Sequence, residues 1–116
     1  MIVSATATEL LSRMPGPATA EWPRGEPYTT AFARGTMSVG LYAPVGTDPQ
    51  TPHEQDEVYI IRTGTGTLIV DGKRLAATAG TALFVPAGAQ HRFEDLSTAF
   101  STWVVFWGPP GGEEHR

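Results

Sequence analysis

Residues 80–95 read Gly80-Thr81-Ala82-Leu83-Phe84-Val85-Pro86-Ala87-Gly88-Ala89-Gln90-His91-Arg92-Phe93-Glu94-Asp95. Thr81 to Val85 forms a short strand pattern, Pro86-Ala87-Gly88-Ala89 turns the chain, and His91 to Glu94 leads out again as an extended segment. Pro86 fixes φ on entry to the turn, and Gly88 adopts a backbone conformation that a Cβ would resist.

The same punctuation continues on both sides. Asp71-Gly72 sits between Leu68-Ile69-Val70 and Lys73-Arg74-Leu75, and Asp-Gly suits the positive φ angles of a type I′ hairpin turn. Val58 to Ile61 is a β-branched and aromatic strand, Thr63-Gly64-Thr65-Gly66 turns it, and Thr67 to Val70 returns. Residues 31–42 alternate as one strand region, with Met37, Val39 and Leu41 on one face and Ser38, Gly40 and Tyr42 on the other. Pro44 to Pro52 is a loop, and Ser101 to Trp107 is the last strand. At the N-terminus, residues 4–14 form a short helix with Ser4 as N-cap and Leu10, Leu11 and Met14 on one face. Pro15-Gly16-Pro17 ends it; residues 15–29 continue as a proline-rich segment, making 1–29 an N-terminal arm, and residues 108–116 form a loose tail. Roughly eight short strands without a βαβ rhythm predict an all-β antiparallel sandwich or small barrel.

Composition narrows the function. A chain of 116 residues is one domain's worth, spanning 1–116. With no Cys there is no disulfide, thiolate metal site or cysteine nucleophile. The net charge is −4, and Lys73 is the only lysine, so no basic surface is available for nucleic acid or an anionic membrane. The first residues carry neither a basic leader region nor an unbroken apolar run, and Trp103 to Trp107 is too short to span a bilayer. The expected location is cytoplasmic. Gly64-Thr65-Gly66 is followed by no helix, so it is not a phosphate cradle, and no Gly-x-Ser-x-Gly elbow occurs.

The histidines are His53, His91 and His115. His53 opens the run His53-Glu54-Gln55-Asp56-Glu57, whose crowded carboxylates repel one another unless water or a cation relieves them. Imidazole and carboxylate are good ligands for divalent iron, manganese, nickel or zinc. Taken singly, these residues read as a solvated loop and ordinary strand-end imidazoles; His115 reads as solvated.

Spacing changes that reading. Gly80-x5-Pro86-x-Gly88-x2-His91 resembles the second motif of the cupin superfamily, with Asp95 where that motif ends in Asn. His53-x3-Glu57-x6-Gly64 resembles the first, and the short gap from Gly64 to Gly80 resembles that of small bacterial cupins. The resemblance covers residues 46–95. It implies a double-stranded β-helix, the cupin or jelly-roll barrel, with a metal site. The family's first histidine is replaced by Thr51, a poor ligand, so the resemblance implies three protein ligands, His53, Glu57 and His91; Gln50 or Gln55 is a candidate weak oxygen ligand beside them.

Alternation puts Thr51 and His53 on one strand face, His91 and Phe93 on another, and Glu57, Tyr59 and Ile61 on a third. Thr51, Gln55, Tyr59 and Phe93 are candidate pocket residues, with plain barrel core as the other reading of Tyr59 and Phe93, and Tyr59 is the candidate catalytic acid or orienting group. Two functions follow: a metal-dependent enzyme on a small organic molecule, of dioxygenase or isomerase type, or a non-enzymatic barrel that holds a small ligand or metal. Trp103-Val104-Val105-Phe106-Trp107 is apolar on both faces, only one of which a barrel interior can cover. The N-terminal arm or a second subunit must cover the other, and the expectation is a homodimer.

Overall fold

The structure is a computed structural model and describes residues 3–114. Its elements are α1 (Ala7–Leu11), β1 (Tyr28–Arg34), β2 (Met37–Tyr42), β3 (Asp56–Thr63), β4 (Thr65–Val70), β5 (Lys73–Thr78), β6 (Ala82–Val85), β7 (His91–Glu94) and β8 (Ser101–Trp107). The strands form two antiparallel sheets, one ordered β1-β2-β8-β3-β6 and the other β5-β4-β7. This is the all-β barrel that the motifs imply.

Period-2 burial sorts the side chains. In β3, Glu57, Tyr59 and Ile61 are buried while Ile60 and Arg62 are exposed. In β8, Val104 points into the core and Trp103 points out to the helix. The core between the sheets contains Tyr59, Ile61, Leu68, Phe93, Phe100 and Val104. Fully burying side chains of this size contributes about 1.5–3 kcal/mol each.

The Asp71-Gly72 turn joins β4 to β5 with φ of 47° and 82°. The region 31–42 is two strands rather than one, because Gly35, at φ 58°, turns the chain between Arg34 and Met37. The break after β3 is confined to Gly64, and β4 does not pair back on β3: the chain passes from one sheet to the other. Gly64 permits this because φ is 79° and a Cβ there would lie 2.8 Å from the Cα of Phe100.

The N-terminal helix is shorter than its sequence pattern. It is capped by Thr6, not Ser4, the Thr6 side chain accepting from the amide of Glu9. Leu10 is fully buried against Leu41 and Trp103, but Leu11, a helical step of about 100° further round, is exposed. Residues 108–113 are tied down rather than loose. Gly111 N donates to Glu54 O at 2.7 Å, Gly108 N donates to Thr36 Oγ1, and Glu113 N donates to the buried carboxylate of Asp56. His115 lies outside the described residues.

Candidate metal centre

Three elements bring His53, Glu57 and His91 together. Glu57 projects inward from β3, whose register sets it beside Val85 of β6 and Phe106 of β8. His91 opens β7, and its Nδ1 lies 2.9 Å from the carbonyl of Ala89. A carbonyl only accepts, so Nδ1 carries the proton and Nε2 is left facing Glu57. Thr51 and His53 lie in the loop before β3 rather than on a strand face. That loop is held by Gly88 N donating to His53 O at 2.8 Å, which fastens the first motif to the turn of the second.

One ligand atom from each of His53, Glu57 and His91 lies within 4.8 Å of the others. Glu57 Oε1 and His91 Nε2 approach to 3.2 Å, yet both are buried and neither makes a hydrogen bond of acceptable geometry. Burial lowers the His91 pKa, but the Glu57 contact and the Ala89 carbonyl outweigh it and hold the imidazole above its usual 6.5.

A cavity of about 510 Å³ opens above Glu57 and His53. Thr51 and Tyr59 line it, as does Gln50. The Tyr59 hydroxyl donates to Gln50 Oε1 at 3.2 Å, and burial first, then the Glu57 charge, holds this phenol protonated far above 10.0. Gln50 Oε1 also stands 3.1 Å from His53 Nε2. Gln55 is turned away, its amide donating to the carbonyls of Thr36 and Gly108. Phe93 is not a cavity wall; it is core, 1% exposed and packed edge-on against Tyr59 at 4.8 Å.

Asp48 is a neighbour of the candidate site that sequence reasoning missed. It is buried in the loop after β2 and accepts from the Tyr42 hydroxyl, the Gln50 side-chain amide and the backbone N–H of Phe93. It thereby aims the Gln50 oxygen at His53 and Tyr59. Its only sequence signal is an acidic residue two positions before Gln50 in a proline-rich loop.

The arm is also at this site. Residues 19–22 and 26 border the cavity, so the arm covers the barrel mouth, while α1 covers the Trp103 end of the outer sheet face. No helix among the described residues is long and apolar enough to cross a membrane.

Residues 38–107 match the family profile described as the cupin domain. An uncharacterized protein of Streptomyces coelicolor is 43% identical over 85 residues, covering 72% of this chain and 80% of that protein. A solved structure from Thermus thermophilus aligns over 94% of this chain and 100% of its own, with TM-score 0.69 and 21% identity. A cupin 2 conserved barrel domain protein from Salinispora arenicola aligns over 70% of this chain and 74% of its own, with TM-score 0.61 and 19% identity. The DMSP lyase DddQ from Ruegeria pomeroyi gives TM-score 0.63 at 21% identity over 70% of this chain, which spans only 46% of that protein. At these identities the structural matches bear on the fold alone.

Proposed function

The chain belongs to the cupin domain family, and on that premise we propose that it is a metal-dependent cupin acting on a small organic molecule. His53, Glu57 and His91 hold one divalent ion, and the adjoining cavity takes the substrate. The observation that carries this reading is the buried Glu57 Oε1–His91 Nε2 pair, which converges with His53 and lacks hydrogen bonds of its own. Two imidazoles and a carboxylate suit iron, manganese, nickel or zinc. When bound, the ion supplies Lewis acidity and open positions for substrate oxygen.

The chain's own residues divide the remaining work. Tyr59, kept as a neutral phenol, is the hydrogen-bond donor and orienting group in the cavity wall. Gln50 stands in for the histidine that Thr51 replaces, offering its amide oxygen beside His53. Asp48 holds that amide in place. The lyase named among the structural neighbours shows that related barrels host bond-breaking chemistry, but fold alone does not assign a reaction. A second reading, a barrel that binds without turnover, is favoured by Thr51, which leaves fewer protein ligands than the family pattern.

The test is metal analysis of the purified protein, followed by turnover assays with the loaded protein on catechols, diketones and small hydroxy acids. Stoichiometric metal with turnover supports the enzyme, and stoichiometric metal without turnover supports the binding barrel. A protein that takes up none of the four metals overturns both forms of the metal reading.

We further propose that the chain is a homodimer through the outer face of its larger sheet. Val39, Val105, Val58 and Phe84 stand in one cross-strand row, each beside the next in register. Phe84 is 53% exposed and Ile60 38%. A second copy related by a twofold axis presents the same row, which makes the face its own complement.

A further inference from the structure

We propose that the mouth of the cavity is a cage for a small organic cation of the alkylammonium class. The proposal deepens the reading above and rests on it, since the cage opens onto the same floor. Trp22, Tyr28 and Tyr42 all line the cavity. Trp22 stands edge-on to Tyr42, with ring centroids 6.1 Å apart and planes at 80°. Tyr28 tilts against Tyr42 at 6.4 Å and 55°. Trp22 and Tyr28 thus meet Tyr42, itself only 6% exposed, at steep angles beside the cavity, and rings set at such angles can offer their faces to an alkylated ammonium.

Charge points the same way. Glu21 and Glu26 border the cavity, Glu57 lies at its floor, and no Lys or Arg lines it. Among the described residues, neither Glu21 nor Glu26 makes an ion pair. Glu57 Oε1 faces His91 Nε2 at 3.2 Å and belongs to the proposed metal ligand set, so the countercharge left for a cation at the mouth is that of Glu21 and Glu26. The carboxylates are close enough to act on the phenols: after burial, the Glu57 and Glu26 charges help push Tyr28 up to about 12. An anionic ligand group finds no countercharge among the mouth's side chains, and an uncharged one gains at most hydrogen bonds from the carboxylates. An alkylammonium gains from both the ring faces and the glutamates.

The experiment is calorimetric titration of the full chain, metal-loaded and metal-free, with choline, its uncharged carbon isostere 3,3-dimethylbutan-1-ol, and inorganic phosphate. Choline should bind about tenfold more tightly than the isostere, and phosphate should not compete with it. Trp22→Ala should remove the preference and Trp22→Phe should keep part of it. Glu21→Gln with Glu26→Gln should weaken choline and flatten its salt dependence. Metal content should be unchanged in all these variants. Equal binding of choline and isostere, no choline binding by either form, preferential phosphate binding by the metal-free form, or indifference to Trp22→Ala overturns the cage. Choline binding that obeys these rules in a protein that takes up no metal upholds the cage and overturns the metal reading instead.

Discussion

Glu57 Oε1 and His91 Nε2 stand 3.2 Å apart with side chains 2% and 1% exposed. Neither atom completes a hydrogen bond. Removing a carboxylate and an imidazole from water is costly unless they are well paired or share a cation. The β3 register and the Ala89 carbonyl hold the two groups in this position, and the His53 loop brings a third donor to the same place. The proposed ion would supply the bonds that this 3.2 Å ion pair, short of hydrogen-bond geometry, leaves unmade.

His91→Ala should therefore cost metal affinity more than the 10–100-fold typical of losing an outer-shell group. In the metal-free protein it leaves the Glu57 carboxylate buried without its neighbour, a loss on the order of 3–5 kcal/mol in denaturant unfolding. Metal titration and urea melts of the same variant check both. Metal uptake equal to wild type would place the ion elsewhere.

The pH dependence has opposite signs with and without metal. The folded pKa of His91 is raised above its usual 6.5, chiefly against burial and through Glu57 and Ala89. The stability this gives the metal-free protein is fully present below the unfolded value and is lost as pH rises through the folded one. Metal requires the unprotonated Nε2, so its affinity should increase over that same rise. Melting of wild type against His91→Gln across this window, with and without zinc, should show the two trends diverging. Parallel trends would contradict the assignment.

Asp48→Ala should damage both stability and the site. It strips the acceptor from the Tyr42 hydroxyl, the Gln50 amide and the Phe93 N–H. Donors left buried without partners cost about 1–3 kcal/mol each, and a Gln50 set free should lower metal affinity by about 10–100-fold. Unfolding and metal titration of Asp48→Ala beside Gln50→Ala separate the two effects. Metal affinity that falls in neither variant would remove Gln50 from the site.

Gly40→Ala tests the support beneath the cavity mouth. The Tyr28 ring lies over Gly40, where an added Cβ would collide with its Oη and Cζ atoms. The substitution should cost about 1–3 kcal/mol through overpacking and should displace Tyr28 from the mouth. Tyrosine fluorescence and choline titration report the displacement, and wild-type values in both would show that the ring does not depend on this glycine.

The proposed dimer is tested at the exposed row. Wild type should sediment as a dimer at micromolar concentration. Phe84→Glu with Val105→Lys should yield a folded monomer, because charge is costly in an apolar interface core. A wild-type mass of about 12.4 kDa at every concentration would exclude the dimer.

Local chemistry was legible in the sequence because neighbouring residues carry it. Asp71-Gly72 takes the positive φ pair that its residue types favour. The strand Ser101–Trp107 runs over the stretch its apolar pattern marks, and Glu57, Tyr59 and Ile61 share one buried face through simple alternation. The motif spacings around Gly64, Gly80 and His91 were enough to indicate the barrel. What required the tertiary structure involves contacts between residues far apart in the chain. Gly64 passes the chain into a second sheet instead of closing a hairpin because Ser97 and Phe100 pack against it. Gln50 faces the site and Gln55 does not, because Asp48 holds the first amide while Thr36 and Gly108 hold the second. The arm caps the cavity, and Trp22 and Tyr28 reach Tyr42 only once β1 pairs with β2. Turn propensity and strand period act over a few residues. A loop's final position is set by hydrogen bonds such as Gly88 N to His53 O, whose partners meet only when the barrel closes.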